Sequence, residues 1–122
     1  MAEVKIRGED VSGLGWTIKS LIDENLKKSE IWSRVKNING SLVVTETDSG
    51  VTTTVFFAKG VIEIQDGAIP KPSARVAGSF DALSELTSGQ VGPIKAALTR
   101  KIKVGGNLMK LLKMARALIH EE

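Results

Sequence analysis

The apolar residues of this chain repeat with two different periods, and the point where one gives way to the other divides the sequence. Ile18, Leu21, Ile22 and Leu26 keep the spacing of one helix face, which predicts a helix from about Gly15 to Lys28. Ser29 reads as the N-cap of a shorter helix that carries Ile31, Trp32 and Val35. Two helices are therefore expected before any strand. Past Asn39-Gly40 the repeat shortens to two residues. SLVVTET, the turn Asp48-Ser49-Gly50 and VTTTVFF read as a hairpin rich in β-branched residues, with Val51, Thr53, Val55 and Phe57 on one face of its second arm. After the turn Ala58-Lys59-Gly60, VIEIQ gives a third antiparallel strand in which Ile62 and Ile64 point together. Pro70 and Pro72 make residues 68–73 a loop or edge crossing, because proline has no amide to give to an inner ladder.

A fourth strand is expected at residues 74–78. Ser79 then caps a helix with Asp81 in its first turn, Leu83 and Leu86 on its buried side and Gly89 as its stop. Pro93 suits the first turn of a short helix through Leu98. Lys101 to Val104 alternates as a fifth strand, and Gly105-Gly106 bends the chain into a last helix opened by Asn107. The expected fold is α+β, a five-stranded, mostly antiparallel sheet with helices on one side. At 122 residues the chain is read as one domain, residues 1–122, able to bury a core without staples.

The last helix is too apolar for its position. Lys110, Lys113 and Arg116 mark one solvated stripe, while Leu108, Met109, Leu111, Leu112, Met114, Leu118 and Ile119 occupy the rest of its girth. Such a helix must be buried deeply, meet a second protein, or line a cavity for an apolar molecule. Charge adds a second asymmetry to the same end. Residues 95–122 hold seven basic groups and two acids, the rest of the chain ten and twelve, and no Asp or Glu stands between Glu85 and Glu121. That end is expected to present a positive field to phosphates, anionic head groups or an acidic partner, beside the plainer reading of a solvated helix face.

Several function classes are poorly served. Cysteine is absent, which excludes disulfides, thiolate metal sites and a thiol nucleophile. The one histidine, His120, lies two residues from the end, where a proton relay is not expected. Glu9-Asp10 and Asp23-Glu24 are sequence neighbours without metal-ligand spacing, so no metal and no cofactor is expected. Gly13 and Gly15 lack the third glycine and the preceding strand of a dinucleotide fingerprint. Gly105-Gly106-Asn107 precedes a helix start and leaves phosphate contact open, although a strand-to-helix bend accounts for both glycines. Aromatics make up 4% with no tyrosine, which removes the stacking platforms of nucleic-acid binding, and none is expected. With no signal-peptide core at MAEVKIRGED and no long apolar run, the protein is expected to be soluble and cytoplasmic.

From Ile38 onward the chain resembles the sterol carrier protein type 2 family of small lipid-binding domains. The resemblance rests on I-N-G-S-L at 38–42, a strand ending at Gly60, A-x-V-x-G-S-F-D-A-L at 74–83, G-Q-V-G-P at 89–93 and above all KIKVGGNLMKLLKM at 101–114. It implies a five-stranded sheet and helices enclosing an apolar tunnel that accepts fatty acids, fatty acyl-CoA, phospholipids or sterols without converting them. Where many members read A-F-M-Q-G-K before the last strand, this chain has Leu98 and Thr99 for the Met and Gln and Arg100 for the glycine. The C-terminus ALIHEE also lacks the peroxisomal tripeptide of eukaryotic carriers.

The resulting expectation is a non-enzymatic lipid binder. Its ligand-binding residues would be Trp32, Val55, Phe57, Ile62, Ile64, Val76, Phe80, Ile94, Leu98, Ile102, Leu108, Met109 and Leu112, with Lys101, Lys103, Lys110 and Lys113 contacting an anionic head group or membrane surface. The expected partner is a lipid or other apolar small molecule, and the expected state a monomer or weak homodimer. The alternative is an interaction or dimerisation module whose apolar last helix lies at an interface with no ligand.

Overall fold

A computed structural model of the chain describes residues 3–6, 13–90 and 92–118. In order it has β1 (Glu3–Ile6), α1 (Gly13–Leu26), α2 (Ser29–Val35), β2 (Asn39–Glu46), β3 (Val51–Ala58), β4 (Val61–Asp66), β5 (Ala74–Gly78), α3 (Phe80–Thr87), α4 (Pro93–Leu98), β6 (Ile102–Gly106) and α5 (Leu108–Ala115). The six strands form one sheet in the order β1-β4-β3-β2-β5-β6. The β1–β4 and β2–β5 pairs are parallel and the other pairs antiparallel. The α+β class and the mainly antiparallel sheet are as expected. The strand count and the absence of a strand before the helices are corrected by β1, whose four residues are too few to show a period and whose partner lies far along the chain.

Alternation decides which face of each strand is buried. Leu42 and Val44 share one face with their cross-strand partners Val55, Thr53, Ala74 and Val76, and Ile62, Ile64 and Ile102 extend it. The helices cover this face, and their buried residues Ile18, Ile22, Ile31, Val35, Leu86, Leu111 and Met114 join it in one continuous cluster. The 67–73 segment pairs as no strand, as the prolines predict, and crosses the opposite face. There the Thr54 hydroxyl donates to the Gly67 carbonyl at 2.6 Å, and Ser41 and Ser73 exchange amide-to-hydroxyl hydrogen bonds of 3.1 and 3.0 Å.

The helix ends follow their side chains in two of three cases. Ser79 accepts from the Ala82 amide and Asn107 from the Lys110 amide, each at 3.1 Å, so both caps are as read from sequence. Ser29 is not a cap. Lys28 holds that position without a side-chain bond, because the turn after α1 is tight enough, with the Lys28 amide on the Asn25 carbonyl, to bring Ser29 into the first turn of α2. Gly106 ends β6 at φ +83°, where an added Cβ would stand 2.5 Å from the Ser73 carbonyl oxygen and 2.8 Å from Ala74 Cα. Only glycine fits there, so the bend into α5 needs Gly106. The α5 helix ends at Ala115 and continues as turns to Leu118. Ile119 and His120 lie outside the described residues.

Candidate functional site

The strand order splits the covered face of the sheet. On the β4–β3 side α1 packs directly, and Val55, Phe57, Ile62 and Ile64 are 0 to 3% exposed. On the β2–β5–β6 side the helices stand off and leave a cavity of about 310 Å³. Leu42 and Val44 of β2, Val76 of β5, and Ile102 and Val104 of β6 make its floor. The walls are one face of α1 (Leu14, Thr17, Ile18 and Leu21), α3 (Leu83, Ser84, Leu86 and Thr87) and α5 (Leu108, Leu111, Leu112 and Ala115), closed at the far end by Leu118. Phe80, Leu98 and Leu108 line it and are themselves exposed, which places a mouth between the starts of α3 and α5 and the end of α4, and the exposed Thr17 and Ser84 open it also between α1 and α3. Among the described residues no charged side chain lines the cavity, and its polar groups are the hydroxyls of Thr17, Ser84 and Thr87. It can enclose hydrocarbon, but it offers no ionic anchor and no acid, base or strong nucleophile.

Six residues expected at a ligand site meet in this cavity: Val76, Phe80, Leu98, Ile102, Leu108 and Leu112. Val55, Phe57, Ile62 and Ile64 do not reach it. Their strands lie beneath α1 rather than α5, so these side chains fill solid core. Trp32 is half-buried on α2 with its ring over Gly60, and Met109 is exposed on the α5 surface, so neither lines the cavity. Ile94 lies outside the described side chains. The α1 wall was not singled out from sequence, although the spacing of Leu14, Ile18 and Leu21 carried the signal of an apolar helix face.

The lysine quartet does not form one site. Lys101 Nζ lies 2.9 Å from Glu85 Oε2, and Lys103 stands on the face of β6 opposite Ile102. Lys110 and Lys113 turn away from the cavity and share a separate polar cleft with Arg116, Asn37, Ile38 and Asn39. The α5 helix is thus a partition, apolar toward the cavity and cationic toward this cleft. Its C-terminal end is tied to α1, where the buried Asn25 donates from Nδ2 to the Ala117 carbonyl at 2.8 Å. At the end of β2, Glu46 accepts from the Ser49 hydroxyl and from the amides of Ser49 and Asp48. These bonds, the hydroxyl foremost, hold it below the usual carboxylate range against a desolvation that acts the other way. Among the described residues no helix is long and apolar enough to cross a membrane.

Sterol carrier protein 2 from Yarrowia lipolytica, in its apo form, is 18% identical with a TM-score of 0.65, covering 90% of this chain and 95% of that one. The UbiJ-SCP2 ubiquinone synthesis protein is 11% identical with a TM-score of 0.64, covering 87% and 85%. The sec-alkylsulfatase Pisa1 from Pseudomonas sp. is 16% identical with a TM-score of 0.65, over 74% of this chain, which spans only 14% of the sulfatase. These likenesses show the fold. A search of curated proteins gave no match. The sequence itself matches the SCP-2 sterol transfer family over residues 18–118. The chain belongs to the SCP-2 sterol transfer family, whose domains are typically non-enzymatic and bind apolar lipids.

Proposed function

We propose that this protein binds and carries a lipid through a single alkyl chain, held in the cavity between β2, β5 and β6 and the helices α1, α3 and α5, without altering it chemically. The observation that carries this reading is a cavity of about 310 Å³ with no charged residue among the described residues of its lining. A methylene occupies about the volume of a water molecule in the liquid, roughly 30 Å³, so the space holds about ten of them. Their burial contributes on the order of 8 kcal/mol before the entropy of association is subtracted, enough for micromolar retention. A head group has no partner inside, so it stays at the mouth beside Phe80, Leu98 and Leu108. Selectivity then rests on chain length and bulk rather than on head-group chemistry, and a single extended chain suits this volume better than a rigid ring system.

The test is native mass spectrometry of the purified protein, with light scattering, followed by solvent extraction and identification of any released molecule. A monomeric mass with a co-purifying alkyl lipid, or with saturable uptake of a fluorescent fatty acid, agrees with the proposal. A dimer that takes up no fatty acid would favour an interaction module instead. That rival is the weaker reading, because Leu111, Met114, Ala115 and Leu118 of the last helical segment are already buried within the chain.

A further inference from the structure

The polar cleft on the outer side of α5 has two walls. The helix crosses the start of β2, where a Cβ added at Gly40 would stand 3.6 Å from Met114 Sδ. The residues just before Gly40 therefore run beside the helix face that looks away from the cavity. Asn37 and Asn39 stand on one wall with the buried Ile38 between them, Lys110, Lys113 and Arg116 stand on the other, and the open space they share is about 700 Å³. The three cations recur at intervals of three residues, so they lie along one ridge of the helix and span about 9 Å of its axis.

Within the described residues the fold does not compensate this charge. No acidic side chain lines the cleft there, and Lys110 and Lys113 have no carboxylate partner, in contrast to Lys101, whose ammonium meets Glu85. The carboxamides of Asn37 and Asn39 likewise have no hydrogen-bond partner among the described residues. Lys36 precedes the asparagine wall, and the Lys59 amide donates to the Ile38 carbonyl at 3.2 Å, so two further exposed lysines flank it. A solvated helix stripe needs only water opposite it, whereas this one faces a second wall that brings hydrogen-bond donors of its own. The volume is that of a small-molecule site, and no aromatic side chain is present in the lining on which a nucleic-acid base could stack.

We propose that this cleft binds a soluble small molecule carrying two or three linked phosphoryl groups. Its occupant is distinct from the alkyl chain, since α5 stands between the cleft and the cavity, and the inference goes beyond the carrier reading without depending on it. A single phosphate reaches only part of a cationic ridge about 9 Å long, whereas a diphosphate or triphosphate lays its anionic oxygens along it. The ammonium groups of Lys110 and Lys113 and the guanidinium of Arg116 meet these oxygens from one side, and Nδ2 of Asn37 and of Asn39 donates from the other. Phosphorylated lipid head groups share this chemistry, but a concave site away from the cavity suits a free molecule, and the experiment separates the two sources.

The experiment is isothermal titration calorimetry of the full chain with tripolyphosphate, pyrophosphate and inorganic phosphate at about 0.1 M salt, using the wild type, Lys113→Gln, Asn39→Ala and Lys103→Gln. Lys103 lies on β6 outside the cleft, so Lys103→Gln removes the same charge elsewhere. All three positions are exposed and none lines the cavity, so the circular dichroism spectrum should be retained. Tripolyphosphate is expected to bind at one site with a Kd below about 1 mM, more tightly than pyrophosphate and about tenfold more tightly than phosphate. Lys113→Gln should weaken it about fivefold and Asn39→Ala about threefold, with Lys103→Gln within about twofold of the wild type. The same Kd is expected when decanoic acid is present in excess. An absence of binding would overturn the proposal, as would a loss in Lys103→Gln equal to that in Lys113→Gln, or no loss in Asn39→Ala. Displacement of tripolyphosphate by decanoic acid would place both in one site and overturn it too. So would sedimentation with vesicles containing phosphatidylinositol phosphate when the soluble salts do not bind, which would assign the cleft to a lipid head group.

Discussion

Lengthening the ligand one carbon at a time measures the cavity from within. The space of about 310 Å³ takes about ten methylene-sized units, and each buried methylene contributes about 0.8 kcal/mol, close to a fourfold change in Kd. For straight-chain carboxylic acids from about six to about ten carbons, the affinity should therefore rise roughly 250-fold in even steps. Beyond that length further carbons lie at the mouth, where Phe80, Leu98 and Leu108 cover only part of them, and the gain per carbon should fall to less than half. Displacement of a fluorescent fatty acid, read below the micelle concentration of each competitor, gives the series directly. An even rise through about sixteen carbons would mean a continuous tunnel longer than the cavity seen here, and no dependence on length at all would refute alkyl binding.

Three further outcomes follow from particular contacts. Leu112→Trp places an indole in the α5 wall and should move the break in the length series to shorter chains, with the circular dichroism spectrum of the folded protein retained. Gly106→Ala should lose about 2–4 kcal/mol in urea unfolding, because its Cβ meets the Ser73 carbonyl in a backbone conformation that alanine resists. Glu46 is held in its charged form in the folded state, so its folded pKa lies below the unfolded one. Its contribution to stability is present above the unfolded pKa and disappears as pH falls through the folded value. Unfolding measured from about pH 7 to pH 3 should accordingly show a steeper acid loss for the wild type than for Glu46→Gln, and parallel curves would show that the Ser49 hydroxyl does not act in this way.

Most of the element pattern could be read from sequence because local chemistry fixes it. Ser79 and Asn107 cap their helices with their own side chains, Pro70 and Pro72 exclude an inner strand, and Gly106 occupies a place closed to any Cβ. The sequence shows which residues share a face, but not which strands are neighbours. Ile62, Ile64, Val55 and Phe57 have the same alternation as Val76 and Ile102, and only the order β4-β3-β2-β5-β6 puts the first four under α1 and the last two under the cavity. That order depends on the 67–73 crossover and the parallel β2–β5 pairing, which are tertiary choices with no local signature. The α1 wall escaped for a related reason. Leu14, Ile18 and Leu21 look like any core-facing helix stripe, and whether a core or a void lies opposite them is decided by elements far along the chain. The lysines were separated by helix phase: Lys110 and Lys113 fall on the side of α5 that looks away from Leu108 and Leu112.

The hydrogen bond from Asn25 to the Ala117 carbonyl joins the trailing ends of α1 and α5, while Leu14 near the start of α1 and Leu108 at the start of α5 both line the cavity. This arrangement is that of a pair of tongs with its pivot at the buried amide. The eight residues of α5 give an arm of about 12 Å, so a swing of about ten degrees around the pivot parts the tips by about 2 Å. A small rotation about that end would open a gap that matters to a hydrocarbon chain, at the expense of the packing of Leu111 and Met114.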